Sequence, residues 1–344
     1  MTAMTSAGLN SSYRIFRAVF LVVTLILLLK MAVTDFTLRE IIVMAVFILL
    51  LGINLLRNGE RTLVLTAMGI FGAKNVSLDK FFKYALWVKA VLTVGTLVLA
   101  AVGVIENRSW NLPKNGERYD IYCYGYFHPN ATFANIFVLL LLAIIVYKDK
   151  LKWYAYVIGT GIMLAAYKVL FCRTGLLVWG VLCLMVLGYR LAKHWKWEKI
   201  YMAILTAVPV ILAALTLILP MWARANTTVN EKLNLYLTGR IRHINNTIDR
   251  IKYLIMGHVP REDFDSFYFH LIYNYGWVLF VLCLVAYCAG IWYCNKKANF
   301  YGAIALSIMA VYGFMEQLPL SVLWNLPLLY LSWILFKEKE VTDE

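Results

Sequence analysis

Residues 270–292 read HLIYNYGWVLFVLCLVAYCAGIW, an apolar run that decides the fold class of this chain. Such a run is long enough to cross the hydrocarbon core of a bilayer, which takes roughly 20 helical residues. Similar runs recur throughout the sequence, and 62% of its 344 residues are hydrophobic. Transmembrane barrels show weak alternation in place of long apolar runs. The sequence therefore predicts an all-α, polytopic transmembrane helical bundle, with residues 1–344 forming a single integral membrane domain.

About ten runs have the length of a full span. They are 14–32, 38–56, 84–105, 131–147, 153–171, 174–191, 200–222, 270–292, 299–316 and 321–336. No small-residue cleavage site follows the first run, so we expect a retained span and not a signal peptide.

The apolar segment 62–73 is shorter than a span and has basic residues on both sides, including Arg61 and Lys74. This pattern predicts a re-entrant or interfacial segment on the cytoplasmic side. Cytoplasmic loops are enriched in Lys and Arg, and ten spans with cytoplasmic termini place most basic connections inside. An eleventh span at 62–73 would instead place either Arg14 and Arg17 or every later basic loop outside.

The ten-span topology leaves two large outer segments, 106–130 and 223–269, and the larger one is expected to be partly helical. Its apolar residues recur at steps of three and four, which places them on one helical face. They are Leu233, Leu237, Ile241, Ile244, Ile248, Ile251 and Ile255. Arg240, His243 and Arg250 fall on the other side. An amphipathic helix meeting lipid phosphates and a helix presenting a basic face to an anionic ligand both fit this pattern.

The net charge of +14 is explained by basic loops, so nucleic acid is not an expected partner. The six cysteines form no CxxC pair and have no histidine beside them, which argues against a zinc site. Neither a metal nor a cofactor is expected. A disulfide between Cys123 and Cys172 stays open as an alternative, because this topology places both cysteines on the same side.

Ionisable residues at the outer ends of spans are the candidate functional residues, because charge at that depth usually pairs, lines a cavity or meets a substrate. Arg173 lies in a short hairpin, Lys168 lies about one turn deeper, and Glu316 ends another span. An ion pair between Arg173 and Glu316 is one interpretation. A cavity open to the outside, lined by these three residues and Arg240, is the other.

His128-Pro129-Asn130 and Asp265 stand where outer loops enter spans. His128 can accept or donate a proton near neutral pH. Asn130 and Asp265 have a structural alternative, because short polar side chains commonly cap helix N-termini.

The motifs around these residues resemble the O-antigen ligase/polymerase superfamily, and most closely its capsular and exopolysaccharide polymerases. The motifs are His128-Pro-Asn, Arg173-Thr-Gly, Leu237-Thr-Gly-Arg240-Ile, Asp265-Ser-Phe-Tyr followed by Asn274-Tyr-Gly276, and Gly72-Ala-Lys-Asn-Val-Ser. The resemblance covers most of the chain in order and topology.

This resemblance implies an integral glycosyltransferase in the bacterial cytoplasmic membrane. Its donor would be a polyprenyl-pyrophosphate-linked oligosaccharide, and no nucleotide sugar would take part. Arg173 and Arg240 would hold the pyrophosphate, and Asp265, or else His128, would be the base. Further substrate-binding candidates are Arg224, Arg242, Lys168, His258, Asn130, Glu316 and Tyr268.

Membrane lipids, a chain-length regulator and a flippase are the other partners that the resemblance implies. O-antigen ligases place a catalytic histidine near the position of Asp265, which favours a polymerase over a ligase here. A flippase or transporter of lipid-linked saccharide is the competing class. Transporters more often show internal repeats and charge at the bilayer midplane, neither of which this sequence shows.

Overall fold

The structure is a computed structural model that describes residues 12–114, 117–237 and 239–336. It is mostly helical (77%). Seven helices in the described ranges are long and apolar enough to cross a membrane. The expectation of a multi-pass helical membrane protein is confirmed at this level. The expected cytoplasmic placement of the two termini falls on residues outside the described ranges.

The elements follow one another along the chain with short connections, except around the two predicted outer segments. The helices are α1 (Ser12–Ala32), α2 (Leu38–Asn58), α3 (Thr62–Gly72), α4 (Leu78–Ala101), α5 (Pro129–Tyr147), α6 (Trp153–Leu170), α7 (Arg173–His194), α8 (Glu198–Ala225), α9 (Thr227–Tyr236), α10 (Arg240–Asn245), α11 (Phe267–Lys296), α12 (Phe300–Met315) and α13 (Ser332–Leu335). Short 3-10 helices cover Lys148–Lys150, Ile248–Tyr253, Leu318–Leu320 and Leu326–Leu331. The two strands are β1 (Ser109–Lys114) and β2 (Glu117–Tyr122).

The chain forms two compact units. The first contains the described residues of 1–30 and 76–187, and the second contains those of 31–75 and 188–344. The second unit is therefore discontinuous in sequence, because α2 and α3 belong to the same unit as the elements from Gly188 onward.

The smaller outer segment contains β-structure, which corrects the all-α prediction. Strands β1 and β2 pair antiparallel, with Ser109 opposite Tyr122 and Lys114 opposite Glu117. The sequence between the strands is Asn115-Gly116, the strongest short-range signal for a two-residue hairpin. The long apolar runs elsewhere determine the fold class but carry no information about this loop.

The larger outer segment is partly helical, as predicted, but its helix is broken into three pieces. Gly239 has a φ of 79° between α9 and α10, and Thr247 separates α10 from a 3-10 helix. A left-handed backbone at Gly239 ends α9, because few residues other than glycine adopt it without strain. Four positions of the predicted apolar face are buried: Ile241, Ile244, Ile248 and Ile251.

Helix α3 does not fit the prediction that both flanks of segment 62–73 lie on one side. Lys74, after α3, contacts Glu40 at 2.6 Å and the Asp35 carbonyl at 2.7 Å, next to the start of α2. Glu60, before α3, follows the end of α2. The chain therefore returns along the full length of α2, which rises about 1.5 Å per residue and is long enough to span.

Arg261 of the larger outer segment contacts Glu60 at 2.8 Å. Residues 57–61 therefore lie at the same end of the second unit as Arg261. The prediction that they face the side opposite to segment 223–269 is wrong. The last predicted span, 321–336, also differs, because Leu326–Leu331 is a 3-10 helix and only Ser332–Leu335 is α-helical.

Helix α11 is broken at Gly276, which has a φ of 86° and a ψ of 171°. The backbone groups released by the break find partners within the second unit. His258 N donates to the Tyr273 carbonyl at 2.7 Å, and Trp277 N donates to the Leu254 carbonyl at 2.9 Å. Asn58 Nδ2 donates to the Asn274 carbonyl. A broken helix at membrane depth is tolerated only where such groups are satisfied by protein.

Candidate functional site

Arg240 lies between two carboxylates in the second unit. Its Nε donates to Asp265 Oδ2 at 2.8 Å, and its Nη2 donates to Glu316 Oε1 at 2.8 Å. The Arg240 side chain is 15% exposed, that of Glu316 is 9% exposed, and that of Asp265 is 56% exposed. The structure thus brings together three residues that the sequence singled out separately.

The turn before α10 places Arg240 as the first residue of that helix. Gly239 N donates to the Asn234 carbonyl at 2.9 Å, and Asn234 Oδ1 accepts from Arg242 N at 2.8 Å. Asn234 therefore holds the end of α9 and the start of α10 together. The buried side chains of Ile241 and Ile244 fix the orientation of α10. In this orientation, Arg240 faces the two carboxylates.

Close packing of α11 on α12 brings Asp265 and Glu316 together. A Cβ at Gly313 would lie 3.0 Å from Phe267 Cδ1, so the glycine allows the start of α11 to approach the last turn of α12. Tyr268 donates its hydroxyl proton to the Ala310 carbonyl at 3.0 Å. Asp265 precedes α11 and Glu316 follows α12, so both carboxylates reach the same end of the helix pair.

Ser266 adds a polar group that the sequence analysis did not single out. It occupies the N-cap position of α11 without a capping bond from its side chain, is 5% exposed, and its Oγ has no hydrogen-bond partner among the described residues. It lines a narrow crevice of about 20 Å³ with Arg240, and most of the other lining side chains are apolar. A buried hydroxyl without a partner is uncommon and would gain from a polar ligand.

A second cluster surrounds Glu60, which is 4% exposed. Its carboxylate contacts Arg261 Nη1 at 2.8 Å and accepts from the Thr62 hydroxyl at 2.6 Å, and His270 Nε2 lies 4.0 Å away. Burial raises the pKa of the Glu60 carboxyl, but the Thr62 hydrogen bond and the charge of Arg261 more than offset this and hold its pKa below the ordinary value. Glu60 therefore stays ionised near neutral pH.

Residues 261–263, next to this cluster, are held in place by several further contacts. Arg261 also contacts Asp263 Oδ1 at 2.7 Å. Glu262 Oε1 accepts from the Tyr273 hydroxyl at 2.9 Å and from Arg250 Nη1 at 3.1 Å. Asn274 Nδ2 donates to the Glu262 carbonyl at 2.6 Å. This network attaches the loop before Asp265 to the first half of α11.

Sequence reasoning missed Glu60 and Arg261 as partners. Their only sequence signals are a carboxylate between two apolar helices and an arginine in an acidic cluster. Neither signal indicates a contact between segments so distant in the chain.

His128 and Asn130 belong to the first unit, where His128 and not Asn130 is the N-cap of α5. His128 Nδ1 accepts from Asn130 N at 3.1 Å, and its ring packs edge-on against Trp110 at 5.2 Å between centroids. Trp110 Nε1 donates to the Phe127 carbonyl at 2.9 Å. The β-hairpin therefore holds the half-buried imidazole at the entrance of α5.

Arg173 and Lys168 are exposed in the first unit. Arg173 is the first residue of α7, and Phe171 before it has a φ of 52°. Gly175 approaches Phe133 so closely that a Cβ would clash with its ring. This contact places the starts of α5 and α7, and hence His128 and Arg173, at the same end of the unit.

Cys123 and Cys172 are both buried and are not joined by a disulfide, so that alternative is not realised. Burial raises the pKa of the Cys123 thiol to about 11, and this thiol is therefore protonated near neutral pH.

The other predicted substrate-binding residues lie in the second unit. Arg224 contacts Asp249 at 2.7 Å, and both side chains are exposed. Arg242 is exposed, and no described carboxylate lies within ion-pair distance of it. His258 Nδ1 lies 3.2 Å from the Pro260 carbonyl oxygen. The hydroxyl of buried Tyr268 holds α11 against α12 and is occupied by that contact.

The geometry around Arg240 suits an anionic ligand with a proton acceptor beside it. Arginine offers a planar, permanently charged fork that matches phosphate oxygens. Asp265 lies against this fork and is open to solvent. Among the described residues, no group of three or more His, Cys, Asp and Glu could hold a metal ion.

Comparisons with protein-family models, with curated proteins and with solved structures each found no match. The function proposed below therefore depends on the chemistry of the side chains themselves and on the motif resemblance.

Proposed function

We propose that this protein is a polysaccharide polymerase of the bacterial cytoplasmic membrane. It transfers a polyprenyl-pyrophosphate-linked oligosaccharide onto an acceptor lipid-linked repeat unit at the outer face. The observation that carries the proposal is Arg240, held largely out of solvent between Asp265 and Glu316 at the end of the α11–α12 pair. Its guanidinium group is oriented by two carboxylates, of which Glu316 is buried and Asp265 is exposed.

Arg240 is the donor-binding group. One pyrophosphate oxygen takes the place of Asp265 at Nε, while the buried Glu316 continues to orient Nη2. Asp265 is the partner that can be displaced, because its side chain is 56% exposed and Glu316 is not. Ser266 lines the same narrow crevice as Arg240, and its buried Oγ is the candidate donor to a second phosphate oxygen. These donors stabilise the charge that develops on the leaving group.

Asp265, released by the donor, is the general base. The acceptor hydroxyl oxygen forms a bond to the anomeric carbon of the donor sugar. The bond from that carbon to the pyrophosphate oxygen breaks, and polyprenyl pyrophosphate leaves with the electron pair. The hydroxyl proton passes to Asp265. The attacking hydroxyl and the departing pyrophosphate both react at the anomeric carbon. A base that lies beside the pyrophosphate site fits this reaction.

The orientation that we propose counts α3 as a crossing. Glu60 pairs with Arg261 at one end of α2, and Lys74 pairs with Glu40 at the other, which supports counting α3 as a crossing. With the later basic connections inside, the Ser12 end of α1 lies outside, and the segments 106–130 and 223–269 stay outside. This arrangement keeps Lys74 and the basic loops after it on the cytoplasmic side.

The direct test uses purified protein in liposomes with a polyprenyl-pyrophosphate-linked repeat unit. Products are separated by glycan length. We expect longer glycans with the native chain and about a 100-fold or greater loss of rate with Arg240→Ala. Arg39→Ala removes the same charge from the exposed start of α2 and should polymerise normally.

Three results would contradict the proposal or a part of it. Transbilayer movement of the repeat unit without glycosidic bond formation would identify a flippase. Transfer to a lipid A core, with no transfer to another repeat unit, would identify a ligase. Equal polymer length in the Arg240→Ala and Arg39→Ala proteins would remove Arg240 from the donor site.

A further inference from the structure

The first unit contains a second basic site that takes no part in the proposed reaction. A cavity of about 460 Å³ lies between the first turns of α4 and the end of α5. Asp79, Lys80 and Lys83 line it from α4, and Lys148 and Lys150 line it from the 3-10 helix after α5. We call this cavity the lysine groove. Its volume falls within the range of roughly 300–1,000 Å³ that is usual for small-ligand sites.

Positive charge exceeds negative charge in the lysine groove. Lys148 Nζ contacts Asp79 Oδ1 at 2.9 Å, so one lysine is neutralised locally. Lys80, Lys83 and Lys150 have no ion-pair partner within the described ranges. Asp149 is the other acidic residue of the lining. Three lysines therefore face one cavity with too few carboxylates to balance them.

Exposed aromatic residues lie close in sequence to the residues that line the groove. Tyr84 is 71% exposed one position after Lys83, and Trp153 is 71% exposed at the start of α6. Tyr147 lines the groove itself and is 41% exposed. Trp and Tyr are enriched at membrane–water interfaces, where their rings sit among headgroups. The groove thus lies at headgroup level.

We infer that the lysine groove binds the phosphate of an anionic glycerophospholipid, with the acyl chains lying along α4 and α5 in the bilayer. Lys80, Lys83 and Lys150 supply the charge, and the apolar Phe82 and Val146 line the groove where the glycerol would enter lipid. Free phosphate shares the headgroup's charge but has no acyl chains. A zwitterionic headgroup has no net charge, because a cation balances its phosphate, and it should therefore attract the lysines less strongly than an anionic headgroup.

The test measures lipid binding to the full chain, purified in a neutral detergent, by native mass spectrometry. Phosphatidylglycerol and phosphatidylcholine are titrated separately, and inorganic phosphate is added as a competitor. We expect phosphatidylglycerol to bind more tightly than phosphatidylcholine. The double variant Lys80→Gln/Lys83→Gln should weaken phosphatidylglycerol binding by on the order of thirty-fold. The control Lys196→Gln/Lys199→Gln removes equal charge from the α7–α8 connection and the start of α8, and should change nothing.

Equal binding of the two lipids, or equal weakening by the two double variants, would overturn the inference. Complete displacement of phosphatidylglycerol by millimolar phosphate would identify free phosphate as the ligand. Lys150→Gln, tested alone, gives a weaker loss in the same direction if the groove is the site. Thermal unfolding of each variant shows that the binding change is not a loss of fold, which these exposed lysines should not affect.

Discussion

Arg240 differs from the other arginines of the large outer segment in how deeply its guanidinium lies. Its side chain is 15% exposed, while those of Arg224 and Arg250 are 55% and 53% exposed. Exposed ion pairs contribute about 1 kcal/mol or less to the free energy of unfolding. Removing one member of a mostly buried pair costs roughly 3–5 kcal/mol, because the remaining charge loses its partner. A variant at Arg240 would therefore lose both stability and any chemical contribution of the guanidinium, and the two losses have to be measured separately.

Asp265 and Glu316 allow that separation. Asp265→Asn should reduce the polymerisation rate by about 100-fold or more with less than about 1 kcal/mol lost in stability, since Asp265 is largely exposed. Glu316→Gln should lower the unfolding temperature measurably, since it removes a carboxylate buried beside Arg240. Thermal unfolding and the glycan-length assay check both variants. Full activity of Asp265→Asn would exclude Asp265 as the base.

Glu60 should make stability depend on pH in the acid range. Its folded-state pKa lies below its ordinary value, so the contribution of its charge is complete above about pH 4.3, the unfolded value. That contribution is lost as the pH falls through the lower folded-state pKa. The difference in unfolding temperature between the native chain and Glu60→Gln should be constant near neutral pH and shrink below about pH 4.

Glu231→Gln is the control for this measurement, because Glu231 is exposed on α9. An unfolding-temperature difference between native and Glu60→Gln proteins that stays the same at all pH values would contradict the assignment of an ionised Glu60.

Residue types near the candidate site could be predicted from sequence because charge is rare in an apolar chain. Arg240, Asp265 and Glu316 stood out for that reason, and the structure places them in one contact group. The pairing of Glu60 with Arg261 could not be predicted, because periodicity and motif spacing describe local structure only. The buried Ser266 hydroxyl gave no signal, since serine before a helix is commonly a cap.

At the scale of elements, α11 depends on its break at Gly276. A Cβ there would clash with the backbone of Ile255, and the φ of 86° disfavours any other residue. Gly276→Ala should therefore destabilise the protein by at least about 2 kcal/mol. Thermal unfolding of the purified chain measures this.

The matched control is Gly52→Ala in α2, where a Cβ would meet open space. We expect that variant to be neutral or more stable by about 0.5–1 kcal/mol, since alanine is the better helix former. A similar loss of stability in both variants would show that the break is not what Gly276 provides.

The sequence predicted the ends of most long helices within a few residues. Long apolar runs indicate helices, because a helix satisfies its own backbone polar groups in lipid. It did not predict how the outer segments fold. Helices α9 and α10 are separated at Gly239, whose left-handed backbone a hydropathy pattern does not reveal, and the hairpin β1–β2 is formed by short polar strands that show no apolar run. The basic residues on both sides of α3 were interpreted as a mark of the cytoplasmic side, but Lys74 is paired with the buried Glu40 and its charge is therefore no guide to the side on which it lies.

For the whole molecule, the orientation can be tested with single cysteines in a background lacking the six native ones. Arg61→Cys and Ser77→Cys introduce thiols at exposed positions before and after α3. We expect a membrane-impermeant maleimide to label Arg61→Cys in intact spheroplasts and to label Ser77→Cys only after permeabilisation. Labelling of both positions only after permeabilisation would restore the ten-span topology with both flanks inside.

The discontinuity of the second unit has a consequence for how the protein is made. Asn58 and Asn274 are hydrogen-bonded although 216 residues separate them in the sequence. At a synthesis rate of roughly 5–20 residues per second, α2 and α3 wait about 10–40 s after insertion before their partners emerge from the ribosome. During that interval the polar side chains of Asn54, Asn58 and Glu60 lack their partners from the later part of the chain, which are the Tyr275 and Asn274 carbonyls and Arg261. The nascent chain is then a natural client for a membrane insertase or chaperone.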